Sequence, residues 1–165
     1  MVMDPYSAFL GGRAAGTGSE AVNFLEGTAP DSRGRMLEDV LAYSDAELER
    51  RHDFIQRLFP LTEASRAVPG SPVLSADDVA AIRRSPRAQQ SLRTAAARME
   101  AFYADNDRWL TGVDHNHLRI TRIIKSLRLL VDDEAADRFR QSIGERVVRA
   151  GNPVNAVTLR FWAEA

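Results

Sequence analysis

Three histidines, a single lysine and a run of arginines are the residues of this chain whose types and spacing could do chemistry. Most of them fall in one segment, His115 to Leu130, reading HNHLRITRIIKSLRLL. On a helix, Arg119, Arg122 and Ser126 lie along one flank at i, i+3 and i+7, while Lys125 and Arg128 rotate away from them. Two guanidinium groups one turn apart can form a fork for a carboxylate or a phosphate. They can equally pair with acids on neighbouring helices, because charge clusters are often structural. Just upstream, His115-Asn116-His117 follows Asp114 at a helix start, where unpaired backbone donors favour anions. Histidine titrates near neutrality, so His52 or His115 could serve as an acid–base. A His-x-His pair binds metal only with a further ligand, such as His52 or an acid, and the spacing does not supply one. The expected site is a polar pocket near the start of the 115–131 helix, with His52, His115, Asn116, Arg119 and Arg122 as ligand-binding candidates. No catalytic residue, metal ligand or cofactor is assigned. The ligand would be a peptide or a small anion, and Arg119→Ala would remove binding with little change in stability.

The elements that must position these residues read as helices throughout. The chain has 165 residues, which suits one domain with its own core. Apolar residues make up 44% and charged residues 27%, ordinary for a globular protein. The net charge of −1 argues against a nucleic-acid partner, which calls for a basic surface. With no cysteine, disulfides, zinc-thiolate sites and thiol nucleophiles are excluded. The longest apolar runs reach four residues, far below the ~20 of a transmembrane helix. No basic region followed by an apolar stretch opens the chain, so no secretory signal is visible and the cytoplasm is the expected compartment.

Residues 1–20 read as a flexible tail. The glycine-rich run from Gly11 to Ser19 lacks the Lys-Ser/Thr that a phosphate loop requires. Asp31 or Ser32 is placed to cap a helix carrying Met36, Leu37, Val40 and Leu41. Ser44-Asp45-Ala46-Glu47 is a capping box that starts a helix running through Leu48, Ile55, Leu58 and Phe59 until Pro60 stops it. Residues 60–74 form a loop with three prolines and a glycine. Ser75 caps a short helix, and Ser85-Pro86 starts a longer one with the stripe Leu92, Ala95, Ala96, Met99, Phe102 and Tyr103. A polar loop, 104–114, holds Trp109, which could be a groove anchor or core. Asp132 or Asp133 caps a helix with Ala136, Phe139, Ile143 and Val147, and the last segment, carrying Trp162, is helical. The expectation is an all-α fold over 21–165, a single compact irregular bundle of about six or seven helices.

Several segments also share a spelling with a known family. Phe24-Leu25-Glu26-Gly27, Asp39-Val40-Leu41, His52-Asp53-Phe54-Ile55-Gln56, Leu58-Phe59-Pro60-Leu61, Phe102-Tyr103, Trp109 and His115 to Leu127 occur in that order. Together they resemble the conserved domain of the opioid growth factor receptor family, and the arginine-rich composition suits a bacterial member. The resemblance covers most of residues 20–165. It is specific at HDFIQ-LFPL and HNHLRITRIIKSL, and loose between 62 and 101 and at the C-terminus. Arg57 departs from the family's usual tryptophan, and His117 from the asparagine of the animal protein. The resemblance implies a non-catalytic domain with a receptor label, a peptide ligand of the enkephalin type and a family label of membrane association. It brings no catalytic residues. Two other classes stand beside this reading: an enzyme using His52 or His115 as acid–base, and a structural partner in a complex.

Overall fold

The computed structural model describes residues 19–165. The expected tail and its glycine-rich run lie outside these residues, except for the last two positions. Ser19 is the N-cap of the first helix, its hydroxyl accepting from the Val22 amide, and Glu20 opens that helix. Among the described residues the chain is all-α, with nine helices and one isolated β-bridge. They are α1 (Glu20–Leu25), α2 (Leu37–Leu41), α3 (Asp45–Arg50), α4 (Ile55–Leu58), α5 (Ala76–Arg84), α6 (Pro86–Asp105), α7 (His115–Leu130), α8 (Asp133–Arg149) and α9 (Ala156–Glu164).

Helix α7 is the central element and packs against α5, α6, α8 and α9. Its stripe of Ile120, Ile123, Ile124, Leu127 and Leu130 is fully buried, each side chain contributing about 1.5–3 kcal/mol. The facing stripes are Leu92, Ala95, Met99 and Phe102 of α6 and Ala136, Phe139, Ile143 and Val147 of α8, also buried. The caps fall where the short polar side chains stand. Ser44, Ser75, Ser85, Asp114, Asp132 and Asn155 each accept from a backbone amide two or three residues on. At Ser75 the box is reciprocal, because Asp78 Oδ2 returns to the Ser75 amide at 2.9 Å. Ser75→Ala is expected to lower stability by about 1 kcal/mol in urea unfolding, without changing the slope of the transition.

Two expectations are corrected. The helix expected from Ser44 to Phe59 is broken into α3 and α4, with Arg51 extended at ψ 135°. In an unbroken helix the carbonyls of Leu48 and Arg51 would accept from the amides at 52 and 55. Both are taken instead by the Arg119 side chain of α7. This break and the separate α1 raise the helix number above the six or seven expected. At the second position, neither Asp31 nor Ser32 caps α2. Its first turn is closed by Asp39, whose carboxylate accepts from the Met36 amide at 2.8 Å, and Asp31 is buried in an ion-pair network.

The loop of residues 60–74 is pinned at both ends. Leu61 and Val73 form the β-bridge, and the Leu74 amide donates to the Leu61 carbonyl at 2.9 Å. Residues 63–68 therefore project as an arm beside α4 and α7.

Candidate functional site

The polar flank of α7 meets the chain it was spaced to meet, but mostly as a structural ladder. Arg119 donates to the carbonyls of Leu48 (2.8 Å) and Arg51 (2.5 Å), Arg122 Nε to Phe59 O (2.8 Å), and Ser126 Oγ to Pro60 O (2.9 Å). These carbonyls lie at the C-terminal ends of α3 and α4, where helices leave acceptors unsatisfied and carry partial negative charge. The i, i+3, i+7 spacing thus zips the α3–α4 corner onto α7.

Arg119 is 5% exposed and pairs with no carboxylate among the described residues. Its remaining contacts are Asn116 Oδ1 at 3.2 Å, His52 Nδ1 at 3.5 Å and the face of Phe54 at 5.2 Å. Burial holds its pKa below the usual arginine value, against the pull of Tyr103, Glu49 and Asp114. Asn116 is fully buried behind it and donates to Glu49 Oε2 at 3.2 Å. Both Nη atoms of Arg119 are thus engaged, and Arg119 also lines the cleft described next.

Arg122 is different. Only Nε is engaged; Nη2 is buried with no hydrogen-bond partner among the described residues. Desolvation pushes its pKa down to about 10, outweighing the attraction of Glu63. Arg122 lies on the wall of a cleft of about 630 Å³ between α4, the 63–68 arm and α7, a volume typical of small-molecule sites. On the same wall is Gln56, 5% exposed, whose Oε1 is also buried and unpartnered. Lys125 and Arg66 add positive charge to the lining. Glu63 answers Lys125 across an exposed 3.3 Å ion pair. The apolar part of the wall is Ile55, Leu61, Val68 and Leu118, the last 71% exposed.

His52 and His115 come together at this cleft, rings edge to face with centroids 5.4 Å apart. His52 lies in the break between α3 and α4, exposed rather than at the edge of a helix face. His115 Nε2 is 3.4 Å from Glu49 and its Nδ1 3.7 Å from Asp114. His117 goes the other way. It is buried, its ring edge-on to Trp162. Its Nε2 lies 2.8 Å from the Trp109 carbonyl. A carbonyl only accepts, so Nε2 carries the proton. His115 and His117 therefore do not converge on one ion, and among the described residues no group of three or more His, Asp or Glu is arranged to hold a metal.

Trp109, left open by its loop position, is core. Its indole donates to the carbonyls of Tyr103 and Asn106 and so closes the end of α6. Gln56, Lys125, Arg66 and Glu63 were not singled out as site residues from the sequence. Gln56 carried one signal, a polar residue between the apolar Ile55 and Leu58. The arm residues 63–68 carried none. A second, more open groove of about 760 Å³ runs between α8 and α9, but its Arg149–Glu145 and Arg140–Asp137 charges are paired along α8.

No family model, curated protein or solved structure matches this chain. No helix among the described residues is long and apolar enough to cross a membrane.

Proposed function

We propose that the chain is a binding module that holds a small anionic ligand in the cleft between α4, the 63–68 arm and α7. The observation that carries this is Arg122 on the cleft wall, a guanidinium with no carboxylate partner among the described residues and only its Nε engaged. A largely desolvated cation without a counter-charge is costly. An incoming carboxylate or phosphate oxygen would supply that charge and form a charge-assisted bond. Lys125 and the exposed arm arginine, Arg66, supply attraction at longer range. The resemblance to the opioid growth factor receptor domain adds a peptide to the candidate anions.

The test is an NMR titration with acetate and with inorganic phosphate, following backbone amides. Shifts should cluster at residues 56, 61–68 and 115–125, and Arg122→Gln should remove them. Uniform or absent shifts with both anions would refute the reading. Glu63 competes for Lys125, so Glu63→Gln should tighten binding about 2- to 5-fold, the worth of an exposed ion pair.

A second reading, acid–base chemistry by His52 or His115, is supported by the 5.4 Å pairing of the two rings at the cleft. It requires a reacting group within about 3 Å of a ring nitrogen when ligand is bound. If His52→Ala and His115→Ala leave anion binding and every ligand's chemical integrity unchanged, that reading fails.

A further inference from the structure

The groove between α8 and α9 differs from the α7 cleft in its charge. Its two acids, Asp137 and Glu145, are matched by two cations, Arg140 and Arg149. Such a face selects neither an anion nor a cation, but it is complementary to its own image. Its floor is apolar, with the buried Trp162 beside Leu159 of α9.

Two residues of α8 on this groove have no explanation in the fold of a single chain. Gly144 stands inside a 17-residue helix without a positive φ, where glycine is less stable than alanine. A Cβ there would meet no heavy atom within 4 Å beyond its own helix, so packing does not demand its absence. Val148, one turn on, is 65% exposed and lines the same groove. A β-branched apolar side chain is a poor choice for a solvated helix face. One residue makes a hollow and the other a knob, four positions apart on one face of α8.

We propose that α8 pairs with α8 of a second copy of this chain, antiparallel about a two-fold axis, with Val148 of each copy seated over Gly144 of the other. The pairing is self-complementary in shape, because each hollow receives a knob. It is also self-complementary in charge. With the axis midway between Gly144 and Val148, a rise of about 1.5 Å per residue puts Glu145 within about 3 Å, along the helix axis, of the other copy's Arg149, and Arg149 equally near the other Glu145. Both exposed pairs within α8 can then be exchanged for pairs across the interface. The α7 cleft takes no part, so this proposal is independent of the anion reading.

The test is sedimentation equilibrium of the full chain from about 10 µM to about 1 mM, the range suited to a small interface. A monomer–dimer equilibrium is expected. Gly144→Ala should move two readings in opposite senses. The urea midpoint of the dilute monomer should rise, since the methyl group meets open space and removes the cost of glycine. The dimer should weaken about 10-fold, since the same methyl group fills the hollow on both copies. A glycine with only a surface role would give the first change without the second. Glu145→Arg alone and Arg149→Glu alone should each weaken self-association about 5-fold by facing like charges across the axis, and an equimolar mixture of the two variants should recover it. Both positions are exposed, so neither substitution disturbs the core. The proposal is overturned if the chain is monomeric throughout the range, if association continues past the dimer, if Gly144→Ala leaves the dimer unchanged, or if the charge-exchanged mixture associates no better than its components.

Discussion

Arg119→Ala is expected to cost about 3 kcal/mol of folding stability, read as a lower urea midpoint with the slope unchanged. The carbonyls of Leu48 and Arg51 lie where α3 ends and the chain turns toward α4. In the variant no donor from α7 reaches them, and a methyl group cannot fill the space over the Phe54 ring. Each bond to a charged donor is worth about 1.5–3 kcal/mol, partly offset because a desolvated charge disappears with the side chain. Arg119→Lys should recover only part of the loss, since an ammonium cannot hold two diverging carbonyls and Asn116 Oδ1 in the fork that a guanidinium provides. A ligand-binding role for Arg119, the alternative weighed from the sequence, would instead give a binding defect with a normal melting temperature. A melting temperature within a degree or two of wild type would contradict the ladder described here.

A comparable loss, about 3–5 kcal/mol, is expected for Asp31→Ala, because removing one partner strands the others. The Asp31 carboxylate accepts from the amides of Arg33 and Arg35 and from Arg35 Nε, and it pairs with Arg57. Arg35 continues to Asp53 and Tyr43, and Arg57 to Glu20 and Ser32. One buried carboxylate thus joins the 26–36 turn to α1, α4 and the α3–α4 break. Burial by itself would raise the Asp31 pKa. The Arg35 side-chain bond, the amides of Arg35 and Arg33 and the Arg35 charge overcome it and hold the carboxyl below its usual value. The folded-state value is therefore lower than the unfolded one. Its stabilisation is complete above the unfolded value of about 3.9 and drains away as the pH falls through the lower folded value. Urea unfolding followed from about pH 6 down to pH 2 should show a steep acid limb, and Asp31→Asn should flatten it.

The two residues illustrate what could be read from the chain and what could not. The long helices were legible because their apolar stripes repeat at helical spacing and their caps are local: Ser75, Ser85, Asp114 and Asp132 act within three residues of themselves. The break between α3 and α4 was not, since α3 ends where a side chain 71 residues away takes its carbonyl. Asp31 looked like a cap because caps are the usual work of an aspartate before an apolar run, and nothing nearby announced Arg57 as its partner. Arg57 itself had been visible only as a departure from a family spelling. Within the candidate site, the flank of α7 was found from its spacing, yet which of its arginines has a free group depends on where the α3–α4 corner ends. Arg119 reaches two carbonyls there and Arg122 one, with a nitrogen left over. Gln56 and the 63–68 arm gain their meaning from the Leu61–Val73 bridge, which no periodicity announces.

The α7 ladder also sets an order in time. Its bonds reach back 63 to 71 residues, to a corner whose carbonyls have no other hydrogen-bond donor among the described residues. Closing a loop of that length is entropically costly and slow relative to forming a helix turn. On a ribosome, the carbonyls from Leu48 to Pro60 cannot gain their α7 donors until Ser126 has left the exit tunnel. The first half of this protein is then a waiting surface, and its assembly finishes only when the second half arrives to hold it.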